Sequence, residues 1–253
     1  MNNELNFLAR TFSALDYEFE ILDGSGHSFY KSKLYQDIKD NGIVIENNTV
    51  KLEDKYFEYK RKSIALEKNI YYINMYIDIT KYQLNIMRLK EDALTKLPNR
   101  YAIEMFVSNN ISNNMIAVIC DLDDFKNIND TFGHPQGDIV LSEFGLILKR
   151  MMSQNVFVGR YGGEEFVMFF KNVNLKYVKD CLAEIRRQME LSKGLSNDKY
   201  NIKMSAGISV MDEDNNLKLA IKEADIALYY VKNNGKNANA IYDKNTNNCY
   251  IIE

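Results

Sequence analysis

Two short stretches of the chain crowd carboxylates where an apolar run stops. Cys120-Asp121-Leu122-Asp123-Asp124-Phe125-Lys126 closes the apolar run 116–120, and Arg160-Tyr161-Gly162-Gly163-Glu164-Glu165-Phe166 sets two glutamates directly after two glycines. Strand carboxyl ends are where open α/β sheets place ligands. Like charges packed there repel, so such a cluster lowers stability unless a cation neutralises it. The paired glycines permit positive φ, a tight hairpin and close approach of a ligand to the backbone. A carboxylate at a strand end beside another at a neighbouring hairpin is a hard-oxygen site. It suits Mg²⁺, which takes one or two protein carboxylates and completes its octahedron with water and phosphate oxygens. Ca²⁺ is less suited, because the loop lacks EF-hand spacing. Two metals held this way can activate a hydroxyl and stabilise a leaving pyrophosphate. Either cluster alone also reads as a solvated turn. Their coincidence, each abutting an apolar strand, points to a site.

Such a site needs a sheet to hold it, and the pattern from Asp92 onward supplies one. The run 116–120 reads as a buried strand. Residues 156–158 and 166–170 read as strands flanking the Gly-Gly turn, and 202–210 as another. Helical spacing marks 137–151, 177–191 and 217–231, the last with Leu219, Ala220, Ala224, Ala227, Leu228 and Val231 as its inner stripe. This predicts an α/β or α+β domain of about 160 residues, within ordinary domain sizes.

The first 80 residues read differently. Tyr17-Glu18-Phe19-Glu20-Ile21-Leu22 alternates and ends in the turn Asp23-Gly24-Ser25-Gly26. Residues 35–39 suit a short helix, and 50–52, 56–60 and 70–77 suit strands. Between the two regions, Ile79, Tyr82, Ile86, Leu89 and Ala93 recur at spacings of 3, 4, 3 and 4. That predicts a helix with a narrow apolar seam, able to pair with its own copy or to lie on its own domain.

Composition narrows the setting. The 253 residues carry 32 Lys+Arg and 35 Asp+Glu, a net charge of −3, which argues against nucleic-acid binding through a global positive field. Hydrophobic residues make up 46%, enough for a sizeable core and too many for a disordered chain. Cys120, Cys181 and Cys249 are odd in number and far apart, which argues against a disulfide framework and for buried thiols in a reducing compartment. No secretory signal and no run of roughly 18 apolar residues is visible, so a cytoplasmic location without membrane insertion is expected.

Gly162-Gly163-Glu164-Glu165-Phe166 resembles the signature of the GGDEF-domain diguanylate cyclases in its GGEEF form. The resemblance extends to Asp92-Ala93-Leu94-Thr95-Lys96-Leu97-Pro98-Asn99-Arg100, with Lys96 where glycine is usual. It includes the segment 121–130 with Gly133-His134 and Gly137-Asp138, and Ala224-Asp225 with 227–229, Lys232 and Gly235-Lys236-Asn237. It implies an α+β, palm-like fold over residues 92–245, with a central mainly antiparallel sheet flanked by helices. Residues 81–94 would be a signalling helix. Asp78-Ile79-Thr80 after a long strand resembles the end of a PAS domain, implying a small PAS-like α/β sensor over residues 1–80.

The implied reaction joins two GTP into cyclic di-GMP and releases two pyrophosphates. By the same resemblance, Asp121 and Glu164 would hold Mg²⁺ (with Mn²⁺ as the alternative), together with the Leu122 carbonyl. Glu164 would also be the base for the ribose 3′-hydroxyl. Glu165 follows it directly, and strand alternation turns it to the other face. Lys126, Lys232 and Lys236 would hold the triphosphate. Lys236 stands where arginine is frequent, which keeps the charge and loses the bidentate fork. Asn129 and Asp138 would read guanine. A carboxylate accepts from N1–H and the 2-amino group and an amide donates to O6 or N7, so adenine leaves the carboxylate unpaired. His134 would contact substrate, or make a structural hydrogen bond. Ser153-Gln154-Asn155-Val156 departs from the RxxD product-inhibition motif, so no feedback through that site is expected.

Each chain carries one acid set and one guanine-reading pair, while the product is two-fold symmetric, so a homodimer is expected. What the first domain senses is open: His27 admits haem, and flavin, a small metabolite or no ligand are equally open. Two other readings stand beside the cyclase. One is an inactive domain of the same fold that binds GTP or a partner and only transmits signals. The other is a different palm-type polymerase or adenylyl cyclase, against which Asn129 and Asp138 argue.

Overall fold

A computed structural model describes residues 9–11, 17–46, 48–66, 69–110, 114–211 and 216–252. The chain divides into two compact units, residues 1–88 and 89–253. No helix among the described residues is long and apolar enough to cross a membrane.

The first unit is built on a six-stranded antiparallel sheet. Its strands are β1 (Glu18–Leu22), β2 (Ser28–Lys31), β3 (Ile43–Glu46), β4 (Thr49–Leu52), β5 (Lys55–Leu66) and β6 (Asn69–Asp78), in the order β2-β1-β6-β5-β4-β3. Helix α1 (Lys33–Asn41) covers one face, packing Tyr35 and Ile38 against Val50, Phe57 and Tyr76. Phe19, Ile21, Ile73 and Met75 form the core on the other. Along β1, Phe19 and Ile21 alternate with Glu18 and Glu20 because successive side chains of a strand point to opposite faces of the sheet. Strands β2 and β3 escape the sequence pattern because both lie at sheet edges, with Ser28–Lys31 exposed throughout. His27 is exposed on the turn, its Nδ1 hydrogen-bonded to Ser25 Oγ at 2.8 Å.

Asp78 and Thr80 start the next helix, α2 (Thr80–Leu89). The Asp78 carboxylate accepts the Thr80 N–H at 2.8 Å, and the Tyr56 N–H donates to Thr80 Oγ1 at 2.9 Å. The seam expected over 79–93 stops short. Asn99 Nδ2 donates to the carbonyls of Leu89 and Glu91, and Glu91 bridges Pro98, so Ala93 lies in a turn. Tyr82, Leu84, Met87 and Leu89 are exposed along α2.

The second unit is α+β. Its sheet runs β12-β11-β10-β7-β9-β8, where β7 is Met115–Asp123, β8 Val156–Gly162, β9 Glu165–Lys171, β10 Lys203–Val210, β11 Asn239–Asp243 and β12 Asn248–Ile252. All pairs are antiparallel except β10 with β11. Helices α3 (Arg100–Asn109) and α7 (Leu217–Asn233) cover one face. Helices α5 (His134–Met151) and α6 (Leu175–Leu191) cover the other, and α4 (Phe125–Phe132) leads from β7 into α5. Strand β7 is apolar at every position up to Cys120 because both faces are covered. Ile116, Val118 and Cys120 meet Phe144, Leu148 and Ile185, while Ala117 and Ile119 meet Ile103, Ala220 and Ala224.

Helix α7 lies directly on β10. A Cβ at Gly207 would stand 2.0 Å from the Ala224 carbonyl and 2.2 Å from the Leu228 nitrogen. Such an approach requires small residues, and Ala220, Ala224 and Ala227 provide them. The inner stripe begins at Leu217; Leu219, expected within it, is 44% exposed. Helices α3 and α4 and strands β11 and β12 were not legible in the sequence pattern, being short or half-exposed.

Candidate active site

The site forms where β7 ends beside the β8–β9 turn and the end of α7. In register, Asp121 stands opposite Glu165, and the Leu122 N–H points to the Glu164 carbonyl at 3.4 Å. Gly163 takes φ +47° in the turn, a value that favours glycine. Arg160 braces the turn from β8, its Nε and Nη2 donating to the Gly163 carbonyl at 3.1 and 2.8 Å and its Nη1 to Asp92 Oδ1 at 3.0 Å.

Glu165 corrects the sequence reading. Glu164 belongs to the turn and β9 begins at Glu165, so alternation does not relate the two. Cross-strand partners share a face, which puts Glu165 on the Asp121 side, toward α7. There burial raises its carboxyl above the ordinary range, with Asp225 and Glu164 adding to the rise.

Asp121 is half-buried. Burial pushes its carboxyl up to about 6; the Lys232 ammonium pulls the other way, and the charges of Glu164 and Glu165 add to the rise. Lys232 Nζ sits 2.5 Å from Asp121 Oδ1 and 2.9 Å from Asp123 Oδ1. Burial works against that ammonium, but its bonds to Asp121 and Asp123 outweigh it and raise the lysine above its ordinary value. Lys232 is thus shared between two carboxylates, with Glu164 and Glu165 close by.

Asp123, two residues along the same face, is buried. Its Oδ1 accepts from Ser205 Oγ at 2.7 Å and its Oδ2 from the Asn237 N–H at 2.9 Å. It thereby ties β10, Lys232 and the loop after α7 together. That loop holds three successive positive φ values, Gly235 +105°, Lys236 +60° and Asn237 +47°. Lys236 Nζ pairs with Asp124 Oδ1 at 2.6 Å.

The remaining expected residues lie on α4 and α5. Lys126, His134 and Asp138 are exposed and Asn129 is half-buried. Asn129 packs its carboxamide against the backbone of Gly137, next to Asp138. The structure thus brings Asp121, Glu164 and Lys232 into one cluster, joins Lys236 to it through Asp124, and carries Lys126 and Asn129 on α4 and His134 and Asp138 on α5. Sequence reasoning assigned no role to Asp123, Ser205 or Arg160. Alternation from Asp121 could have flagged Asp123, whereas Ser205 and Arg160 carried no signal of their own.

The donor set fits a hard divalent cation. Among the described residues no group of three or more His, Cys, Asp and Glu side chains is arranged to hold a metal alone. Two carboxylates with a carbonyl would leave the rest of a Mg²⁺ shell to water and phosphate oxygens.

The family profile described as "Diguanylate cyclase, GGDEF domain" matches residues 89–238. Diguanylate cyclase A of Treponema denticola is 39% identical over 123 residues, 47% of this chain and 33% of that protein. Diguanylate cyclase DgcZ of Escherichia coli is 31% identical over 168 residues, 63% of this chain and 56% of that protein. The chain therefore spans about a third to just over half of the length of these two relatives. Among solved structures, the coiled coil and GGDEF domain of DgcB from Caulobacter crescentus, in complex with c-di-GMP, superposes with a TM-score of 0.58 at 27% identity, covering 64% of this chain and 90% of that one.

Proposed function

We infer the activity from the family to which this chain belongs, the GGDEF diguanylate cyclases: it condenses two GTP into cyclic di-GMP and two pyrophosphates. The observation that carries this reading is the meeting of Asp121, Glu164 and Lys232 at the end of β7, where burial and crowded negative charge push the Asp121 carboxyl up to about 6. Such a cluster is poised for a divalent cation and a polyphosphate.

Asp121, Glu164 and the Leu122 carbonyl would hold Mg²⁺ or Mn²⁺. The ion would lower the pKa of the ribose 3′-hydroxyl and offset charge on the leaving group. Glu164 takes the 3′-hydroxyl proton as the oxygen bonds to the α-phosphorus of the other GTP, and the bond to pyrophosphate breaks. Lys126, Lys232 and Lys236 bind the triphosphate and stabilise the departing charge, with Lys232 exchanging Asp121 for phosphate oxygens. Asn129 and Asp138 select guanine, and His134 contacts substrate.

One chain offers one half-site, so the reaction takes place between two copies facing across a two-fold axis. The exposed Tyr82, Leu84, Met87 and Leu89 on α2 support pairing through that helix. Residues 1–80 serve as a PAS-like sensor that biases this pairing through residues 81–94, ahead of the cyclase domain over 92–245. The mixed sequence Ser153-Gln154-Asn155-Val156 leaves product without an RxxD site.

Incubation of the full chain with GTP and Mg²⁺, with products identified by mass, tests the reading. Cyclic di-GMP and pyrophosphate are expected, at a specific activity that falls on dilution, without noncompetitive inhibition by added product. Unchanged GTP would leave a GTP-binding signalling module instead. Equal consumption of ATP would overturn guanine selection.

A further inference from the structure

We propose that Gly137 is a specificity-determining position, where the absence of a side chain lets the Asn129 carboxamide lie beside Asp138 in a guanine-reading pose. The inference rests on the assignment of Asn129 to base recognition. Gly137 is buried in the first turns of α5 and its φ is not positive, so the backbone there does not require glycine. Inside a helix glycine is a poor choice relative to alanine, because it loses the most conformational freedom on folding. What requires it is space. A Cβ at 137 would stand 2.0 Å from Asn129 Oδ1, 3.0 Å from Asn129 Cγ and 3.1 Å from Phe125 Cζ.

The three contacts differ in what can yield. Phe125 and Asn129 lie one turn apart on the same face of α4. Phe125 is 6% exposed and belongs to the main core cluster, so its ring is held. The two helices cannot slide apart freely, because a single residue, Gly133 at φ +83°, separates them. Asn129 is half-buried with its carboxamide at the free end of the side chain. A methyl at 137 therefore turns the Asn129 amide away and leaves the fold in place. The amide's donor to guanine O6, an oxygen adenine lacks, is lost while Asp138, one residue on, keeps its position. Helix preference favours alanine at 137 and base reading favours glycine.

The test is equilibrium binding of the α,β-methylene analogues of GTP and ATP to the full chain and to Gly137→Ala, Asn129→Ala and the double variant, with thermal unfolding alongside. Gly137→Ala is expected to weaken the guanosine analogue about tenfold or more, the worth of one buried hydrogen bond, with adenosine-analogue binding unchanged and the unfolding midpoint equal or higher. The double variant is expected to match Asn129→Ala alone. Retained guanine preference in Gly137→Ala while Asn129→Ala loses it overturns this inference and spares the base-reading role. Retained preference in Asn129→Ala refutes the base-reading role itself. A Gly137→Ala chain that does not fold, or a double variant weaker than Asn129→Ala, also overturns the inference.

Discussion

Replacing Asp123 by asparagine keeps the side chain's shape and removes its ability to accept on both sides. The carboxylate receives three donors, Ser205 Oγ at 2.7 Å, Lys232 Nζ at 2.9 Å and the Asn237 N–H at 2.9 Å. A carboxamide has one accepting oxygen. Facing the oxygen to Ser205 and Lys232 sets an NH₂ against the Asn237 N–H, which then keeps only its longer bond to Ser205 Oγ at 3.1 Å. The opposite flip sets the NH₂ against the ammonium, which keeps only Asp121. Either way one buried, charge-assisted hydrogen bond is lost and a donor faces a donor, a cost of about 2 kcal/mol. For a unit of this size that lowers the unfolding midpoint by about 4–8 °C. The loss concentrates in the loop 235–237, whose left-handed conformation at Lys236 and Asn237 is intrinsically unfavourable and needs outside support. Calorimetry reads the midpoint, and hydrogen exchange at the Asn237 amide reads the loop, where about 2 kcal/mol corresponds to about 30-fold faster exchange. Ser205→Ala, which removes the hydroxyl's bond to Asp123 and its longer bond from the Asn237 N–H but leaves the carboxylate's bonds to Lys232 and Asn237 in place, should show about half the loss. A midpoint within about 1 °C of the parent and unchanged exchange at Asn237 would falsify the role given to this carboxylate.

Two other perturbations probe the frame around the site. Gly207→Ala sets a methyl against helix backbone, 2.0 Å from the Ala224 carbonyl and 2.2 Å from the Leu228 nitrogen, atoms that cannot rotate away. It should cost about 3 kcal/mol and show as a lower urea midpoint, and an unchanged midpoint would mean that α7 does not press on β10 there. Asp92 should contribute to stability in a pH-dependent way. Burial opposes its charge, but the Thr95 N–H and hydroxyl and the Arg160 guanidinium win and hold its carboxyl below the ordinary range. A lowered folded-state pKa means the stabilisation is present above the unfolded value of about 4 and is lost as pH falls through the folded one. Asp92→Asn should therefore flatten the acid limb of the stability curve below pH about 4, and parallel curves for the two proteins would count against the Arg160–Asp92 brace.

Much of the second unit could be read from the chain itself. Runs such as 116–120 and 166–170 are apolar at every position because helices cover both faces of the sheet, and that burial writes itself into sequence. Gly162-Gly163 announced its turn because Gly163 needs a left-handed backbone. The acids at the strand end and hairpin were visible for the same local reason: charge does not survive inside an apolar strand without a task.

What local pattern could not supply was the partner of each group. The face of Glu165 depends on register with Asp121, a choice made by sheet pairing and not by counting from Glu164. The helix begun at Thr80 stops at Leu89 because Asn99, ten residues on, takes its carbonyl. The bond from Asp123 to the Asn237 N–H spans 114 positions of sequence, and Gly137 matters only because α4 folds back against α5. Periodicity reports whether a residue faces inward, since burial acts on each side chain separately. Which buried group meets which is settled only when strands and helices close on one another, because a hydrogen bond or a clash is a property of a pair.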